Sequence, residues 1–218
     1  NELISFFLPY HYGLQNFEID NRTNPSEFMK QASYWGYMPF TQSTHYMGLL
    51  VILLPMIGFV LRFRNKSYDF FESYIWLVSF IILLIGFGKH LPFIFQLLFN
   101  YAPFFSKFRI PSMIYVILIF NFSYLAAASI DLLISSGKND LLKASKLILI
   151  PFSLIVLLFL IFGESLFSFS SLGDNRFPDY LQFVQKIRVD YFEKGAMLAL
   201  AISLSFFVII WMYSNDKL

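Results

Sequence analysis

The sequence predicts an all-α, polytopic integral membrane protein. It implies about five transmembrane helices, an interfacial or re-entrant helical hairpin, and loops on the outer face. Three observations carry this. The 218 residues are 57% hydrophobic and 21% aromatic but only 14% charged, whereas a soluble domain is about half apolar and about a quarter charged. The mean hydropathy is +0.62. The apolar residues also gather into long runs, separated by short basic or proline-bearing stretches, which is the pattern of spans and loops.

A helix needs about 20 mainly apolar residues to cross a bilayer core, with a range of about 17–25. Five stretches meet or approach this: residues 46–61, 70–88, 110–133, 147–163 and 195–213. The first is short before Arg62, but an arginine at a helix end can carry its charge out to the headgroups. The second has Glu72 near its start, where an interface tolerates a carboxylate. A further uncharged run, 90–106, is punctuated by Pro92 and Pro103. Each proline removes a backbone donor and opposes a continuous helix, so this run is expected to lie in the interface. Loop charge agrees. "RFRNK" (62–66) and "GKNDLLKASK" (137–146) are short and basic, as cytoplasmic loops are. They share a side only if 90–106 does not cross. Residues 1–45, the 89–109 hairpin and the 164–194 loop then lie outside, and 214–218 form a short cytoplasmic end.

Several function classes drop out. The net charge is +2 and the basic residues are scattered, so no nucleic-acid surface is implied. There is no cysteine, which removes disulfides, thiolate catalysis and cysteine metal sites. His11, His45 and His90 lack metal-ligand spacing, and no cofactor motif is evident. Polar groups inside the spans are few. Asn121 lies mid-span and Asp131 near a loop, which argues against an ion relay. The chain starts at Asn1 without a signal-peptide pattern, and the expectation is a central part of a longer protein.

Candidate functional residues fall in the outer segments. Residues 1–45 are rich in aromatics, Asn, Pro and Gly, as in "LPYHYG", "NRTNPSEF" and "YWGYMPFT". Such aromatics form an interfacial belt or a wall for substrate, with Glu2, His11, Tyr34 and Trp35 as the substrate-loop candidates. Glu2, Glu18 and Asp20 are solvated acids or, in the sharper reading, a general base. In "NYAPFFSKFRIPSM" (100–113), Lys107 and Arg109 stand two residues apart before Pro111, which suits a first helical turn. They are headgroup anchors or a clamp for a lipid-linked phosphate, since Arg binds phosphate bidentately and Lys as a point charge.

Four segments in register carry a resemblance. They are "ELISFFLPYHYG" (2–13), "YWGYMPFT" (34–41) followed by "YMGLLVILL", "PFFSKFRIPSM" (103–113) and "DNRFPDYLQFVQKIRVDYFEKGAM" (174–197). Together they resemble the bacterial YfhO family of multi-spanning proteins of the GT-C glycosyltransferase type. The resemblance implies transfer of a sugar from a polyprenyl-phosphate donor to a glycan or lipid acceptor. The site of transfer would be the outer face of the bacterial cytoplasmic membrane. It also implies a catalytic Asp upstream of this chain, with Lys107 and Arg109 serving the donor phosphate. The alternatives are a flippase or transporter for a lipid-linked glycan, and a non-catalytic membrane scaffold.

Overall fold

The computed structural model describes residues 2–13, 33–36, 46–107, 111–171, 174–176 and 178–216. Among these residues the protein is all-α, with no strand. The helices are α1 (Leu49–Asn65), α2 (Phe70–Gly86), α3 (Pro92–Tyr101), α4 (Tyr115–Ser135), α5 (Lys138–Leu166) and α6 (Leu181–Ser214). Short 3-10 turns cover Glu2–Phe6, Gly88–His90, Phe105–Lys107, Pro111–Ile114, Asp174–Arg176 and Pro178–Tyr180. The chain divides into two compact units, residues 51–137 and residues 1–50 with 138–218.

In the 51–137 unit, α1 buries Leu53, Ile57 and Leu61, a one-turn spacing that makes a single stripe. The helix ends where Lys66 takes a φ of +50°. The amide of Ser67 then donates back to the Arg62 carbonyl at 3.1 Å, the closing bond of a Schellman cap. Asp69 starts α2. Its Oδ1 accepts from the Glu72 amide at 2.8 Å and so satisfies a donor that the first turn would leave unpaired. α2 packs along α4, and the Asn121 side-chain amide donates to the Ser79 hydroxyl at 2.9 Å between them. A hydrogen bond of this kind links helices where no water competes. Helix α3 starts with Pro92 in its first turn and buries no residue. Its ten residues reach about 15 Å, half of a bilayer core of about 30 Å.

In the other unit, α5 and α6 run antiparallel. Lys138 pairs with Asp216 at one end, the Ser153 and Ser203 hydroxyls share a 2.9 Å hydrogen bond midway, and Gly163 lies against the Phe192 ring toward the other end. Each step up one helix is a step down its partner. Among the described residues, three segments are long and apolar enough to cross a membrane: Ser112–Ser135, Lys138–Leu166 and Leu181–Ser214. Phe70–Gly86 is apolar but shorter. The outward faces of α5 and α6 stay apolar, with Leu154, Ile161, Leu204 and Ile209 all exposed, as lipid-facing helices require.

Two helices begin earlier than their apolar runs. α5 starts at Lys138 rather than 147, and α6 at Leu181 rather than 195. Residues 181–194, expected within a loop, are helical. The 34 residues of α6 extend about 51 Å, well past a bilayer core of about 30 Å. The stretch holding Lys186, Arg188, Asp190, Glu193 and Lys194 therefore continues the apolar helix as an amphipathic extension.

Candidate functional site

The polar and aromatic groups of the 1–50 and 138–218 unit converge on that extension. Val184, Arg188, Phe192 and Ala196 are all buried, and their four-residue spacing places them on one face of α6. Arg188 is 1% exposed. Its Nη1 and Nη2 each donate to Asp174, at 2.8 Å. Nη1 also donates to the Phe169 carbonyl at 2.8 Å, and Nη2 to the Tyr34 carbonyl at 3.4 Å. Asp174 further accepts from the amide and hydroxyl of Ser171, at 2.8 and 2.9 Å.

This buried pair is bidentate, the strongest geometry for Arg and carboxylate. Burial alone pushes the Asp174 carboxyl up, but the hydrogen bonds from Arg188 and Ser171 outweigh it and hold the group below its ordinary value. Taking both charges from water offsets much of their attraction. Removing one partner alone strands the other, at about 3–5 kcal/mol. The pair therefore acts as a clasp. Through the Tyr34 and Phe169 carbonyls and the Asp174 carboxylate it joins the Tyr34 segment and the 169–174 loop to α6.

The N-terminal segment docks on the same helix. Gly195 lets it approach, because a Cβ there would lie 1.8 Å from the Pro9 carbonyl oxygen. Gly13, at a φ of +79°, turns the chain against Ser33. The Trp35 amide donates to the Tyr12 carbonyl at 3.0 Å, and its indole N–H to the His11 carbonyl at 2.9 Å.

His11 is 1% exposed. Its ring is boxed by Tyr12, Trp35, Phe167 and Phe192, with centroids 4.5 to 5.3 Å away. Among the described residues, neither ring nitrogen has a hydrogen-bond partner. Burial lowers its pKa from 6.5 to about 4, so the imidazole is neutral at pH 7.

Of the residues singled out in the sequence, His11, Tyr34 and Trp35 come together here, and all three are buried. Glu2 opens the first 3-10 turn. Lys107 belongs to the other unit, where it ends the Phe105–Lys107 turn and is exposed. Arg109, Glu18, Asp20 and His45 lie outside the described residues. Among the described residues, no group of three His, Cys, Asp or Glu side chains could hold a metal ion.

The Arg188–Asp174 pair was not singled out in the sequence. Its legible signal is the apolar spacing of Val184, Phe192 and Ala196, which puts Arg188 on the inward face. Chemically, Asp174 is ionised with its oxygens occupied, Arg188 is neutralised by it, and His11 is uncharged. These properties suit a rigid cluster that positions the loops around it. No family model, curated protein or solved structure matches this chain.

Proposed function

We propose that the chain is the membrane part of a GT-C type glycosyltransferase in the bacterial cytoplasmic membrane. It receives a polyprenyl-phosphate-linked sugar at the outer face and presents it to a glycan or lipid acceptor. One observation supports this reading above others. Three of the four segments that resemble the YfhO family, 2–13, 34–41 and 174–197, have described residues that fold against one another. Pro9 meets Gly195, Trp35 bonds to His11 and Tyr12, and the Tyr34 carbonyl accepts from Arg188.

In this reading the cluster around Arg188 and His11 fixes the outer loops. Lys107 and Arg109 supply cationic stabilisation to the phosphate as the sugar leaves it. The base that deprotonates the acceptor hydroxyl is the carboxylate implied upstream. A non-catalytic scaffold is the second reading, favoured by the closed packing of the cluster, in which His11, Tyr34 and Trp35 are all buried.

The test uses the full-length protein in proteoliposomes with a polyprenyl-phosphate sugar. Arg109→Ala should lower turnover at least about tenfold, the scale of losing one charge-assisted hydrogen bond, with an unchanged helical circular dichroism spectrum. Unchanged kinetics remove the phosphate role. No transfer by the wild-type protein favours the scaffold.

A further inference from the structure

The turn between α1 and α2 bounds a groove of about 210 Å³, lined by Phe59, Arg62, Tyr68, Asp69, Glu72 and Trp76 among others. We propose that this groove holds the primary ammonium headgroup of an ethanolamine phospholipid. The position fits a headgroup, because the groove lies where two apolar helices meet their connecting turn. The size fits as well. Pockets for drug-sized ligands run about 300–1,000 Å³, so this one admits a small polar moiety and leaves acyl chains outside.

The lining mixes exposed rings with charged groups. Phe59 and Phe63, one turn apart, are exposed and apolar, and the Phe59 ring stands edge-on to Trp76 at 5.4 Å. Acyl chains would lie over these rings. Arg62 stands between Phe59 and Phe63 on α1, and Asp69 and Glu72 are brought in by the turn and α2. Arg62 Nε donates to Glu72 at 2.9 Å and Nη1 to the Ser67 carbonyl at 3.2 Å. The guanidinium is thus occupied by one carboxylate and a turn carbonyl.

The lining sets one cation, Arg62, against two carboxylates, Asp69 and Glu72. Arg62 hydrogen-bonds to Glu72 and acts on Asp69 through space, so the lining as a whole keeps one negative charge in excess. Asp69 is exposed, and only its Oδ1 caps α2 through the Glu72 amide. A ligand that carries one positive charge and donates hydrogen bonds completes this site. An ammonium does both, and the lining includes Tyr68 and Trp76, ring types that attract cations. A choline headgroup carries the charge but has no N–H to give. The exposed Lys66, just past the end of α1, supplies counter-charge for the lipid phosphate.

The experiment is native mass spectrometry of the detergent-purified chain with ethanolamine, choline or glycerol phospholipids of matched acyl chains. One ethanolamine lipid should be retained per chain, with the other two held about tenfold more weakly, the scale of one charge-assisted hydrogen bond. Asp69→Asn keeps the helix cap, since Asn caps as well as Asp. It should erase the preference while the melting temperature stays the same. Equal retention of the three lipids, or a preference that survives Asp69→Asn, overturns the assignment.

Discussion

His11 makes the loop cluster sensitive to acid. Its pKa is about 4 in the folded chain and about 6.5 when unfolded. Above pH 6.5 both states hold a neutral ring and the group adds no pH dependence. Between pH 6.5 and 4 the unfolded chain binds a proton that the folded chain refuses. Stability therefore falls as pH falls, by about 1.4 kcal/mol per unit and about 3 kcal/mol in all. Below pH 4 this contribution is flat. Phe suits the aromatic box and has no nitrogen left unpaired. His11→Phe should therefore lose less stability than wild type in thermal melts between pH 7 and pH 5. Equal loss in both proteins would show that the imidazole does not titrate in this way.

At the scale of elements, α6 joins two environments in one continuous helix. Its later part is apolar enough to span, and its earlier part carries Arg188 on the face that receives the N-terminal segment. Gly195 marks the joint. An added Cβ meets the Pro9 backbone oxygen, and a backbone atom cannot swing aside as a side-chain end can. Gly195→Ala should improve helix propensity by about 1 kcal/mol yet release the 2–13 segment. Limited proteolysis should then cut within residues 2–13 faster than in wild type while α5 and α6 stay protected. Unchanged cutting would mean that the segment does not depend on this approach.

Element-scale features divide by how local their causes are. The start of α2 at Phe70 follows the apolar run, whereas α1 continues past its run through Arg62 and Arg64 to Asn65. The early starts of α5 and α6 were not legible. Residues 138–146 and 181–194 carry enough charge to read as loops, while their helicity rests on one buried face of Leu141, Ala144, Val184 and Phe192. The clasp was hidden for a related reason. Asp174 meets Arg188 only after the chain has turned through Ser171 and two 3-10 turns. No residue spacing encodes that closure.

For the whole molecule, composition was enough to read an all-α membrane protein, because lipid allows only helices or closed barrels and the apolar runs are helix-sized. Which of the aromatic-rich residues cluster was partly legible from their composition. That His11 would be enclosed required the packing of Phe167 and Phe192, which are distant in sequence. The central claim is that α5 and α6 are antiparallel spans with the clasp at one membrane face. The chain has no cysteine, so single cysteines give clean labels. A membrane-impermeant thiol reagent should label Lys138→Cys and Asp216→Cys from one side of sealed vesicles and Asp179→Cys from the other. Labelling of Lys138→Cys and Asp179→Cys from the same side would contradict the account.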